Sequence, residues 1–293
     1  MPRFLAARAA AVVGLLLAGG AATTNAQAWN DARTLTLVRQ ATERRARQLA
    51  DTGLADYTAT ALGSLTFLAQ VGEGFPDAPK VVKADQIALE VYWRAPNYSK
   101  QLILGRRDTL LLPTDIQYHR DHLGIVQNNF PSIIRLGEGD EVRDVPHPLS
   151  AAGLAAYDFA IRDSMRIGIP GRMIEVYEVQ LRPRNDRGPA AVGAVYLARE
   201  DAQVVRMAFS FTRAALIDAQ LEDVAIVLEN ALIEERFWLP RRQEIEIRRS
   251  GTWLDFPARG IIRGSWEICC YRINQGHPVT AFAGPEIQLA PPE

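Results

Sequence analysis

Alternation of apolar and polar side chains is the feature that most constrains the fold of this chain. Between residues 87 and 94 every second residue is large and apolar. Because successive side chains of a β-strand point to opposite faces, this pattern predicts a strand with one covered face. Similar stretches recur between turn residues along most of the chain. The predicted strands lie at 57–70, 87–94, 98–104, 108–112, 116–126, 172–181, 192–199, 204–211, 225–234, 241–249 and 261–273.

Two segments break this period and predict helices. Residues 31–50 carry apolar side chains three and four positions apart, with Asn30 or Asp31 as a possible N-cap and Gly53 as the end signal. Residues 151–167 follow Ser150, which is a good N-cap. The apolar residues of this second predicted helix are spaced three, four and four apart: Leu154, Tyr157, Ile161 and Met165.

The number of strands and the lack of alternating strand–helix units predict an α+β, mainly β fold. We expect one strongly curved antiparallel sheet, a half-barrel, with about two helices on its concave side. A closed barrel and a two-sheet sandwich remain alternatives. The predicted organisation is a leader at 1–28, one domain at 29–273 and an extended, Pro-rich tail at 274–293.

The N-terminus predicts export. Arg3 and Arg8 precede or flank an apolar run at 9–17, and a small-residue stretch ends in Ala26-Gln27-Ala28. These are the three parts of a cleavable signal peptide, and the apolar run is too short for a membrane anchor. We therefore expect cleavage after Ala28 and a periplasmic mature protein that begins at Trp29. No Cys near this junction offers a site for lipid attachment, and no transmembrane helix is expected.

Charge and motifs argue against several functions. The formal net charge is −1, so no nucleic-acid partner is expected. The chain has no nucleophile elbow, Ser-x-x-Lys, His-Glu-x-x-His, phosphate-binding Gly loop or Cys-x-x-Cys motif. We therefore expect no enzyme activity, catalytic residue, cofactor or metal. His119 and His122 lie three apart, on opposite faces of a strand, and could share a metal ion only if the segment were helical or looped.

Cys269 and Cys270 are adjacent in a predicted strand. A disulfide between neighbours is strained, so we expect two free thiols, one of them buried as a small apolar group. An intermolecular disulfide is the alternative, because the periplasm is oxidising.

Two alternating strands supply the bulky apolar residues from which a binding groove can be built. A face rich in Met and Phe can line an adaptable hollow for lipid, but it is also what a sheet needs beneath a helix. Alternation identifies side chains that share a face without saying which face is concave. The groove candidates are Leu89, Val91, Trp93, Met207, Phe209 and Phe211.

The order of predicted elements resembles the half-barrel superfamily of bacterial lipoprotein carriers and sorting receptors, the LolA/LolB-like proteins. A closer resemblance spans residues 144–249. It rests on Asp-Val-Pro-His-Pro-Leu-Ser at 144–150, Arg-Pro-Arg at 182–184 and Phe-Trp-Leu-Pro at 237–240. These segments are similar to an uncharacterised exported family, in whose fuller members such a domain precedes an outer-membrane β-barrel.

The resemblance implies a non-enzymatic protein that binds a lipid or lipoprotein acyl chain in an apolar groove, during outer-membrane biogenesis or envelope maintenance. It supplies no catalytic residues. The partner would be the acyl chain or an envelope protein, with peripheral membrane contact at most, and the protein is expected to be a monomer. The alternatives are an envelope scaffold without a ligand and a hydrolase with an unrecognised site.

Overall fold

The computed structural model describes residues 28–111, 130, 132–136, 141–169, 172–253 and 255–290. Two helices and thirteen strands lie in these ranges. They are α1 (Ala32–Leu49), β1 (Asp56–Val71), β2 (Lys80–Arg94), β3 (Tyr98–Leu110), β4 (Ile133–Ile134), β5 (Val145–Pro146), α2 (Ala151–Ala156), β6 (Tyr157–Ile169), β7 (Arg172–Pro183), β8 (Ala191–Ala198), β9 (Val204–Phe211), β10 (Leu221–Ile233), β11 (Phe237–Trp253), β12 (Phe256–Ile273) and β13 (Ile287–Leu289).

Eleven strands form one sheet in the order β13-β3-β2-β1-β12-β11-β10-β9-β8-β7-β6. All neighbours are antiparallel except β13, which runs parallel to β3. Within the described residues β6 and β13 are the two edges, so the sheet does not close into a barrel. β4 and β5 form a separate two-stranded ladder. The predicted mainly β, α+β class is confirmed.

The sheet curls around its inner face. Trp93 on β2 and Met207 on β9 line one pocket although five strand spacings separate them in the sheet. In a flat sheet that separation is roughly 24 Å, because neighbouring strands lie about 4.8 Å apart. The two strands therefore approach each other across the concave side.

Helix α1 lies on this concave side, as the sequence predicts. Asp31 caps it by accepting a hydrogen bond from the Thr34 N–H at 3.0 Å. Its buried stripe, which includes Leu37, Val38 and Ala41, joins the same apolar cluster as the inward residues of the sheet. The helix therefore fills part of the hollow that the sheet creates.

The predicted helix at 151–167 is wrong over most of its length. Helix α2 ends at Ala156, and the chain continues as strand β6. A spacing of four also keeps side chains on one face of a strand, because four is an even number. A register irregularity between Ile161 and Asp163 then moves the later apolar residues to the opposite face. Tyr157, Phe159 and Ile161 pack in the main core, whereas Met165 and Ile167 pack on a smaller cluster.

Residues beyond Ile273, predicted as an extended tail, pack against the sheet over their described part. The buried carboxylate of Asp56 accepts backbone hydrogen bonds from Gln275, Gly276 and His277 at 2.6, 2.9 and 3.1 Å. A short 3-10 turn and strand β13 follow. This segment thus supplies one edge of the sheet.

The cysteine prediction needs one correction. Both thiols are free among the described residues, but both are exposed, and neither is a buried apolar group. Cys270 has a left-handed backbone with φ of 61°, which interrupts the alternation of side chains beside an irregularity in the β1–β12 pairing. A hydrogen bond to Cys270 is the main reason that the pKa of Cys269 is raised to about 11.

Some predictions fall outside the described residues. These are the leader over residues 1–27, the strand at 116–126, and His119 and His122. Among the helices that the structure does describe, none is both long enough and apolar enough to cross a membrane.

Candidate functional site

The six predicted groove residues lie on one face of the sheet, and that face is the concave one. Five of them are at most 7% exposed and belong to the main apolar core, whereas Trp93 packs against this core and is only partly buried. The core therefore occupies most of the predicted groove with the protein's own side chains. The five buried residues are Leu89, Val91, Met207, Phe209 and Phe211.

An open part of the hollow remains beside the C-terminal end of α1. It is a pocket of about 320 Å³ between the helix end, the ends of β1 and β2, and strands β9 to β11. Of the six predicted residues, Trp93 and Met207 line it. The other large apolar side chains of its wall are Leu49, Leu54, Tyr57, Trp238 and Leu239.

Aromatic packing holds Trp93 in place. Tyr57 lies opposite Trp93 in the β1–β2 register, and the two rings stack with their centroids 5.5 Å apart. Tyr271 contacts the Tyr57 ring edge-on, and its hydroxyl donates to the Pro240 carbonyl at 2.5 Å. Burial raises the pKa of Tyr57 and of Tyr271, so both remain neutral at physiological pH. The Trp93 side of the pocket wall therefore consists of packed aromatic rings that carry no charge.

Arg45 supplies the charged part of the wall. Its guanidinium donates to the carbonyl oxygens of Leu149, at 3.3 Å, and Phe130. Burial lowers its pKa to about 10, which still leaves it protonated at neutral pH. The carbonyls that surround the guanidinium tie the end of α1 to the loop before α2.

Two side-chain atoms of residues that line the pocket have no hydrogen-bond partner among the described residues. They are the indole Nε1 of Trp93 and the side-chain Oδ1 of Asn230, and both are buried. The amide orientation of Asn230 follows from its other bond, because Nδ2 donates to the Val204 carbonyl at 3.3 Å. Oδ1 is therefore an acceptor without a donor, and Trp93 Nε1 is a donor without an acceptor.

Sequence reasoning missed Asn230, Trp238 and Arg45 as pocket residues. Asn230 carries a signal, because it is a polar residue inside the nearly continuous apolar run of β10, and a polar side chain that is buried needs a hydrogen-bond partner. Arg45 stands in the predicted apolar stripe of α1. Nothing in the local pattern reveals Trp238, whose position depends on how the sheet curls.

The pocket is lined by the ionisable side chains of Arg45, Asp51 and Tyr57. Its one carboxylate, Asp51, accepts a hydrogen bond from Arg236 at 3.1 Å. In the described ranges, no three His, Cys, Asp or Glu side chains come together in a way that could hold a metal ion. An apolar wall with one free donor and one free acceptor suits an apolar ligand with a small polar group.

No protein-family model and no curated protein matches the chain. Among solved structures it is similar to lipovitellin, described for its lipid–protein interactions, at 8% identity and a TM-score of 0.32; the match covers 76% of this chain and 26% of lipovitellin. It is also similar to the MucA/MucB complex of Pseudomonas aeruginosa at 9% identity, with a TM-score of 0.21 and coverage of 81% and 99%. The ywiB protein of Bacillus subtilis matches at 4% identity and a TM-score of 0.16, with coverage of 73% and 94%. These TM-scores are too low to carry a neighbour's function to this chain.

Proposed function

We propose that this protein is a non-catalytic binding protein of the bacterial envelope that holds one acyl chain of a lipid or lipoprotein. The observation that carries the proposal is the pocket at the end of α1, with Trp93, Met207 and Trp238 in its wall. Aromatic and Met side chains provide large, adaptable apolar contacts for a flexible chain. The absence of a recognised catalytic motif agrees with a binding role.

The size of the pocket limits the ligand. A volume of about 320 Å³ lies near the lower end of the range for small-molecule sites. One acyl segment therefore fits better than several chains. Each methylene that the pocket removes from water contributes about 0.8 kcal/mol, so a segment of several methylenes can be held without a charged contact.

The experiment is a binding titration with an apolar fluorescent probe, N-phenylnaphthylamine, followed by displacement with methyl decanoate. We expect saturable binding of the probe and its displacement by the ester. Leu49→Glu should weaken both by about tenfold or more, because it brings a charge to the pocket wall. Leu49 is already 47% exposed, so this change should leave the fold intact.

Leu62→Glu is the matched control. Leu62 is 60% exposed and lies on β1 away from the pocket, so the variant should bind the probe like the wild-type protein. Equal loss in both variants, or no saturable binding by the wild type, contradicts the proposal. The scaffold alternative then remains.

A further inference from the structure

The two unpartnered atoms at the pocket impose a chemical requirement on its ligand. A buried donor or acceptor that stays unpaired costs about 1–3 kcal/mol. Trp93 Nε1 offers only a donor, and Asn230 Oδ1 offers only an acceptor. A ligand that satisfies both must itself accept one hydrogen bond and donate another.

This requirement separates the common linkages of acyl chains. An ester has carbonyl and ether oxygens, which accept but cannot donate. A secondary amide has a carbonyl that accepts and an N–H that donates. Neither a free carboxylate nor an ester can therefore satisfy Asn230 Oδ1, whereas an amide next to the chain carries both the donor and the acceptor that the two atoms lack.

We propose that the pocket selects amide-linked acyl chains, with the amide carbonyl bound by Trp93 Nε1–H and the amide N–H bound by Asn230 Oδ1. This assignment rests on the proposed acyl-chain function. The Nδ2 bond from Asn230 to the Val204 carbonyl fixes the direction of Oδ1, and stacking on Tyr57 fixes the indole. Both atoms are covered by neighbouring side chains in this structure, so a ligand reaches them after a small displacement of the wall.

The test compares N-methyl decanamide with methyl decanoate, which differ only in the N–H group and the corresponding oxygen. The amide is the more strongly hydrated of the two, so transfer into an apolar pocket alone favours the ester. We expect the wild-type protein instead to bind the amide about tenfold more tightly, as measured by displacement of N-phenylnaphthylamine. Loss of this preference when the Asn230 acceptor is removed would assign it to a hydrogen bond to the amide N–H.

Two variants assign the bonds. Asn230→Leu removes the acceptor and should abolish the preference for the amide. Trp93→Phe removes the donor and should weaken binding of both the amide and the ester, because both carry a carbonyl, while the amide should remain the tighter ligand. Circular dichroism and the urea midpoint check that each variant is folded.

The outcomes separate this inference from the proposed function. Equal affinity for N-methyl decanamide and methyl decanoate, or tighter binding of the ester, overturns the amide assignment and leaves the proposed acyl binding in place. A preference that persists in folded Asn230→Leu also overturns it. If neither N-methyl decanamide nor methyl decanoate binds, the proposed function itself fails.

A second comparison identifies the source of the amide. N-decanoyl ethanolamine represents an amide-linked lipid, and an N-decanoylated tripeptide represents the acylated end of a protein. Tighter binding of either amide than of methyl decanoate supports the amide assignment. The amide that binds more tightly then identifies the source as a lipid or as an acylated protein. Weaker binding of both than of methyl decanoate contradicts the assignment.

Discussion

At the scale of single residues, Gly63 shows how a missing side chain positions a large one. Gly63 lies opposite Trp266 in the β1–β12 register, and the indole covers it. A Cβ at this position would stand 1.9 Å from two ring carbons of Trp266, which is only 4% exposed. The indole needs the space above Gly63 in order to pack into the core.

We predict that Gly63→Ala lowers the free energy of unfolding by about 1–3 kcal/mol, the usual cost of overfilling a packed core. Urea denaturation measures it. Gly105→Ala is the control, because a Cβ there meets no atom within 4 Å on strand β3. Its stability should equal or slightly exceed that of the wild type, and a comparable loss in both variants would contradict the packing argument.

His147 predicts a pH dependence of stability. Its side chain is fully buried, and its Nδ1 accepts a hydrogen bond from the Leu149 N–H at 3.0 Å. Burial, and then the positive charge of Arg45, lower the pKa of His147 well below 6.5. Below about pH 6.5 the His147 imidazole binds a proton in the unfolded chain but not in the folded protein. The free energy of unfolding therefore falls as the pH falls.

We expect the His147 contribution to reach at most about 1.4 kcal/mol per pH unit below pH 6.5. Urea midpoints of the wild type and His147→Asn between pH 7.5 and pH 5 measure it. The variant should show a shallower slope over that interval. Identical slopes would mean that His147 does not contribute.

The site illustrates what single residues reveal before a structure is known. A polar Asn230 in an apolar strand indicates a bonding role from the sequence alone. That Asn230 and Trp93 line one pocket follows only from the curl of the sheet. Sequence therefore predicts that such a residue matters but does not identify its counterpart.

At the scale of elements, strands are predicted more reliably than the second helix. The alternation of β2 and β9 is unambiguous, and both strands lie where the pattern indicates. Segment 98–112, read as two strands, is one strand up to Leu110. In β6, spacings of four suit a helix and a strand equally well, and the register irregularity near Arg162 hides the strand period.

Phe159 distinguishes the two interpretations of this segment. On the predicted helix Phe159 would lie outside the apolar face, but on β6 it points into the core and is 1% exposed. We predict that Phe159→Ala destabilises the protein by about 3–5 kcal/mol. Ile167→Ala, on the half-buried outer part of the same strand, should cost less in the same urea denaturation experiment. An effect of Phe159→Ala below 1 kcal/mol would contradict the strand assignment.

At the scale of the whole molecule, the curl of the sheet decides which part of its inner face is core and which is pocket. Alternation grouped the three candidate residues of each strand on one face, and the structure has all six on the inner face of the sheet. It could not show that α1 and the opposite strands would cover five of them, because that depends on contacts between residues far apart in sequence. Among the described residues, the end of the hollow beyond α1 is open next to Trp93 and Met207.

The most direct test of acyl binding is an NMR titration of the indole N–H signals with methyl decanoate. The chain has five Trp residues, and Trp93→Phe identifies the Trp93 signal. We expect the ligand to shift the signals of Trp93 and Trp238, which line the pocket. The signal of Trp266, which is buried in the core outside the pocket, should not change. If the signals of Trp93 and Trp238 stay in place at saturating ligand, the pocket is not the binding site and the account is contradicted.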